Sequence, residues 1–158
     1  MLKVKRKEAA KSSRGRTSAS AGKKTKAWRL LSDLSNVRRA SEEMLRFFKP
    51  LGLNEGIRFD VRLCFEEALI NAMKHGNGLK KHLPVDLEAG FDDKKLWLRI
   101  EDSGPGFDVG RVNDCTKGEG LLKGGGRGTH LVHQLMDQVR YNAKGNAILM
   151  VKSIQGPQ

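Results

Sequence analysis

Three stretches of the chain carry polar residues whose types and spacing could do chemistry. In Glu67-Ala-Leu-Ile-Asn71-Ala-Met-Lys74 a carboxylate, an amide and an ammonium follow one another at intervals of four and three residues. On a helix this spacing lines them along one edge, about a turn apart. An amide oxygen can ligate Mg2+, a carboxylate can take a proton from a hydroxyl or water, and an ammonium can approach phosphate. A solvated helix flank has the same pattern. The second stretch is Glu101-Asp102-Ser103-Gly104-Pro105-Gly106-Phe107. A carboxylate at a strand end can accept a hydrogen bond from an exocyclic amine, and bare glycine backbone lets a flat ring lie close, which suits adenine. An ordinary strand-ending turn reads alike. The third is Lys123-Gly124-Gly125-Gly126-Arg127-Gly128-Thr129, directly before a predicted helix. Free N–H groups at a helix start, the favourable end of its dipole and two cations would cradle phosphate. A glycine linker is the alternative.

The elements that must position these groups follow from hydrophobic periodicity. Residues 28–34 read as a short strand. Ser35 or Asn36 can cap a helix in which Val37, Ala40, Met44, Phe47 and Phe48 recur at helical spacing, stopped by Pro50 and Gly52. A longer helix runs from about Asn54 to His75, with Gly76 as its terminator. Its Ile57, Val61, Cys64, Phe65, Ala68 and Ala72 share one arc, and Asn71 borders that arc. Alternation predicts strands at 85–91 and 96–100, with Asp92 and Asp93 beginning the turn between them. Residues 103–128 then hold nine of the 18 glycines, the mark of a long loop. A helix at 129–137 and two strands, 139–142 and 147–151, complete the chain. The expected fold class is α+β, a mixed, mostly antiparallel sheet with helices on one face.

Composition narrows the function. The chain has 158 residues and a formal charge of +12, which suits one domain with a core of its own. Its longest apolar run, 147–151, is far short of the roughly 20 residues that cross a bilayer, so no membrane association is expected. The two cysteines, Cys64 and Cys115, lie far apart in unlike surroundings and fit a reducing cytoplasm better than a disulfide framework. His75, His130 and His133 lack the further ligands of a metal site and read as structural. Residues 1–27 hold ten cations and one anion, leaving +3 for the rest. Such a segment cannot offset its ordering entropy and reads as a disordered arm, either a solubilising tail or an electrostatic attachment to nucleic acid or an acidic surface.

Taken together, the three stretches resemble a known family. Glu67-Ala-Leu-Ile-Asn71-Ala-Met-Lys-His75-Gly76 is similar to the N box, Asp102-Ser-Gly-Pro-Gly106 to the first glycine box, and Gly124-Gly-Gly-Arg-Gly128 to the second glycine box of the GHKL ATPase superfamily. Within it the likeness is to the small anti-sigma-factor serine/threonine kinases, over about residues 28–153 and including Leu135-Met-Asp-Gln-Val139. The resemblance implies a Bergerat-type ATP-binding sandwich, a kinase domain at 28–153, with the basic arm at 1–27 and a tail at 154–158. It implies Glu67 as general base, Asn71 as Mg2+ ligand and Asp102 as adenine partner. Gly104, Gly106, Gly126 and Gly128 would be backbone approaches to ATP and residues 108–125 a lid; beside these, the residue types themselves make Lys74, Lys123, Arg127 and Thr129 candidates to meet its phosphates. The partners implied are a sigma factor and an anti-anti-sigma protein, a STAS domain phosphorylated on serine; a homodimer is compatible with the likeness. Two departures stand out. A lid arginine of the family falls here at Gly124, so Lys123 or Arg127 would have to substitute, and a threonine that helps hold adenine is replaced by Ala147 and Ile148. Two rivals to the kinase remain: a nucleotide-gated module that sequesters a protein without phosphoryl transfer, and a nucleic-acid-associated regulator dominated by the arm.

Overall fold

The computed structural model describes residues 22–110 and 126–155. Strand β1 spans Lys24–Leu31 and helix α1 Asn36–Phe47; a single 3-10 turn, Lys49–Leu51, leads to helix α2, Glu55–Asn71. Strands β2, Pro84–Phe91, and β3, Lys95–Glu101, form a hairpin. Helix α3, Gly126–Leu135, precedes the closing hairpin of β4, Gln138–Tyr141, and β5, Ala147–Ser153. The sheet order is β1-β2-β3-β5-β4, and all four pairings are antiparallel, in line with the mostly antiparallel sheet expected but without a parallel pair.

The elements form for local reasons that the sequence states. In α2 the side chain of Asn54 accepts from the Ile57 N–H at 2.9 Å, a standard N-cap, and Val61, Cys64, Phe65, Ala68 and Leu69 are buried on the sheet. Cys64 is part of this core, and burial pushes its thiol up to about 12. At the β2–β3 turn the Asp92 carboxylate accepts from the Lys94 and Lys95 N–H groups at 2.8 and 2.9 Å. Inward positions of the sheet, Val85, Leu87, Ala89, Phe91, Leu96, Leu98, Ile100 and Met150, join Met44, Phe48, Phe65, Leu69 and Met73 of the helical layer in one core. Each large side chain buried there contributes about 1.5–3 kcal/mol. Among the described residues no helix is long and apolar enough to cross a membrane.

Four expectations shift. Strand β1 begins at Lys24 rather than Trp28 and ends at Leu31, because its alternation extends into the basic stretch: Lys26 pairs with Glu43 of α1, and the Lys24 ammonium lies 5.9 Å from the Phe91 ring centroid. Ser35 sits at the N-cap of α1, but its hydroxyl donates back to Asp33 and does not cap the helix. Gly76 does not terminate α2 by a left-handed turn; the helix widens into a π-turn over Ala72–Gly76 and stops at Asn77. Helix α3 starts three residues earlier than the sequence suggests, so Gly126, Arg127 and Gly128 lie in its first turns and not in a loop before it. The arm up to residue 21, Lys123, Cys115 and the lid from residue 111 onward lie outside the described residues.

Candidate functional site

A cavity of about 310 Å³ opens where the end of α2, the turn after β3, the start of α3 and the β4–β5 hairpin converge. That volume lies at the lower end of the range for small-molecule sites. Ala68, Ile100, Val132 and Ile148 give it an apolar floor, while Asn71, Asp102 and Asn146 supply convergent polar groups. The aromatic rings of Phe107 and Tyr141 meet edge to face at its side, 5.1 Å between centroids.

The carboxylate of Asp102 is fixed by its surroundings. Its Oδ1 accepts from the Gly104 N–H at 2.8 Å, and its backbone N–H donates to the Asn146 carbonyl at 2.9 Å. Burial raises its pKa, against the opposing pull of the Gly104 N–H and of Lys144. The glycines around it serve first to let chain segments touch. A Cβ at Gly76 would collide with the Asp102 carboxylate, and one at Gly104 with the Gly76 carbonyl. Gly106, at φ 80°, and Gly145, at φ 77°, take left-handed conformations and interlock, each against the backbone of the opposite segment: Gly106 on Lys144, Gly145 on Phe107. So the turn after β3 is keyed between the end of α2 and the final hairpin.

The residues singled out from sequence are thus gathered unequally. Asn71, Asp102, Gly106 and Thr129 line the cavity; Gly104 is buried just behind it. Glu67 is half-buried one turn before Asn71, and Lys74 is exposed one turn after it, both outside the lining. The backbone of Gly126, Arg127 and Gly128 forms the start of α3, the helix that brings Thr129 and Val132 to the cavity. Sequence reasoning passed over Asn77, Asn146, Phe107 and Tyr141. Their signals were faint: one aromatic ending a glycine turn, one on a four-residue strand, and asparagines of the kind that turns favour for their own sake. Tyr141 is buried enough that its phenol rises to about 12, and burial lowers His133, whose ring lies 6.2 Å from it. Among the described residues no group of three or more His, Cys, Asp or Glu side chains could hold a metal ion. A cation here would instead take the Asn71 amide oxygen and complete its shell with phosphate oxygens and water, the sparse protein ligation typical of Mg2+.

A family model described as a histidine kinase-like ATPase domain matches residues 28–152. The chain is 31% identical over 108 residues to the serine-protein kinase RsbW of Staphylococcus aureus strain MRSA252, covering 63% of this chain and 67% of that one. It is 29% identical over 104 residues to the serine-protein kinase RsbW of Bacillus subtilis strain 168, covering 61% and 65%. To the protein of the same name from Bacillus licheniformis it is 31% identical over 90 residues, covering 51% and 54%. Because the matched span runs from β1 through the Asn71 helix, the Asp102 turn and α3 into the closing hairpin, the chain belongs to the histidine kinase-like ATPase family, of the GHKL superfamily.

Proposed function

We propose that the protein is an Mg·ATP-dependent serine/threonine protein kinase and acts as an anti-sigma factor, phosphorylating a serine on an anti-anti-sigma partner of the STAS type. The observation that carries this reading is the convergence of Asn71, Asp102 and the start of α3 on one cavity. Adenine would lie on the apolar floor with its exocyclic amine toward Asp102, and the phosphates would run toward the first turns of α3, where the helix dipole favours anions. Asn71 would hold Mg2+, which neutralises charge on the transferred phosphoryl group. Glu67, one helical turn away, would accept the proton of the serine hydroxyl. The similarity to serine-protein kinases supports the same assignment.

A second reading, a nucleotide-gated module that holds its partner without phosphorylating it, is favoured by one observation: Glu67 and Lys74 stand outside the cavity lining. Purified protein incubated with labelled Mg·ATP and its co-purified partner separates the two. The kinase transfers label to a serine, and Glu67→Ala lowers the rate by about 10²–10⁴-fold, the usual contribution of a general base. Transfer at an unaltered rate in that variant removes Glu67 from the mechanism; absence of any transfer, with nucleotide-dependent capture intact, establishes the binding module.

A further inference from the structure

The peptide unit joining Asp102 to Ser103 is held at both of its polar atoms by buried side chains. Its N–H donates to Asn77 Oδ1 at 2.8 Å, and its carbonyl accepts from Asn146 Nδ2 at 2.9 Å. Asn77 is 2% exposed and Asn146 8%. Each of these asparagines is itself anchored elsewhere. Asn77 Nδ2 donates to Ser32 Oγ at 2.8 Å and to the Pro84 carbonyl at 3.0 Å, tying it to the segment after β1 and the first residue of β2. Ser32 Oγ in turn donates to the Leu83 carbonyl at 2.7 Å. Asn146 Oδ1 accepts from Asn142 Nδ2 at 2.6 Å, and its backbone N–H donates to Asn142 Oδ1 at 3.0 Å. The amide orientations follow from these partners: the nitrogen of Asn77 faces a carbonyl and its oxygen faces an N–H, and a flipped amide would set like against like.

A peptide pinned from both sides cannot swing, and the Asp102 side chain hangs from it. Gly76 presses on that carboxylate from behind. We propose that Asn77 and Asn146 are positioning residues that set the base selectivity of the cavity, by fixing the Asp102–Ser103 peptide so that the carboxylate meets an adenine amine and repels a guanine carbonyl. This rests on the reading of the cavity as a purine-nucleotide site. Adenine offers a donor where guanine offers an acceptor. A carboxylate held in place converts that difference into rejection, whereas one free to retreat toward water tolerates either base. Asn146 also borders the cavity; Asn77 does not, so Asn77 is the cleaner residue to change.

Calorimetric titration of the full chain with Mg·ADP and Mg·GDP gives the Kd ratio of the two. In Asn77→Ala that ratio, GDP over ADP, falls about tenfold, the loss expected when one well-aligned hydrogen bond no longer discriminates. A merely structural role for Asn77 weakens both nucleotides in proportion and leaves the ratio unchanged, which overturns the proposal. If the wild-type chain binds neither nucleotide, the functional reading fails and the selectivity with it; wild-type discrimination retained in the variant sinks the clamp alone. A measurement on the unaltered protein covers a variant that does not fold. By NMR the amide of Ser103, an exposed residue, exchanges slowly because Asn77 holds it, and exchange at the rate of an unbonded loop amide refutes the clamp.

Discussion

Asp102 is asked to be charged in a place that disfavours charge. Burial raises its pKa, so the folded state keeps its proton to higher pH than the unfolded chain does. Stability therefore falls as pH rises through the unfolded and then the folded value, and at neutral pH the ionised carboxylate is a cost to the fold. Replacing it by Asp102→Asn keeps the oxygen that accepts from Gly104 and removes the charge. The variant is expected to melt above the parent at pH 7.5, with the gap closing as pH drops below about 4, where the unfolded carboxylate also titrates. Its affinity for adenine nucleotides is expected to fall roughly 10–100-fold, the worth of a hydrogen bond to a charged group. Thermal melts across pH together with calorimetry check both halves; a variant less stable than the parent at pH 7.5 would contradict them. The acid at 102 could be singled out from sequence as a carboxylate at a strand end beside two glycines, a pattern that an ordinary strand-ending turn shares. Its two asparagine supports were not legible, because they lie 25 residues before it and 44 after it, and only folding brings them to one peptide.

At the scale of elements, α2 was the plainest reading: Val61, Cys64, Phe65, Ala68 and Ala72 of its apolar arc are all buried. The π-turn at its end was hidden, since Ala72-Met-Lys-His-Gly76 carries no breaker before the glycine, and the close approach of Gly76 to Asp102 has no signal in the local sequence. Strand β1 was misjudged at its start for a physical reason. A lysine-rich segment cannot build a core alone, but Lys24 and Lys26 alternate with Thr25 and Ala27, and β2 supplies a template that pairs all eight residues. Chain truncations test this. Because the composition of residues 1–21 leaves little apolar surface to bury, deleting them is expected to leave stability within about 0.5 kcal/mol. Deleting residues 1–27 removes half of β1 and its pairing to Glu88–Phe91, a loss on the order of 2–4 kcal/mol from its ladder hydrogen bonds and covered surface. Urea unfolding of the two truncated chains measures the difference, and equal midpoints would return residues 24–27 to the arm.

Over the whole molecule, the α+β class followed from the hydrophobic periodicity of the successive elements, and residues from the end of α2, the turn after β3 and the start of α3 line one cavity. What the sequence could not convey is how they are locked. The turn after β3 is wedged between two other segments by glycines that touch backbone, a relation of shape with no periodic signature. The same topology explains why α3 and the Gly-rich stretch before it were hard to place. A glycine-dense run looks like loop throughout, yet its last part, residues 126–128, is the first turn of a helix whose Val132 is buried in the core.

The lone tyrosine of the chain, Tyr141, stands in the cavity wall, while both tryptophans, Trp28 and Trp97, sit on the sheet away from it. Nature has thereby given this protein separate optical labels for its parts. Fluorotyrosine incorporated biosynthetically yields one 19F resonance, which is expected to move when ADP is added, while indole emission stays constant until the sheet melts. A resonance indifferent to ADP at saturating concentration would mean that the nucleotide rests somewhere else.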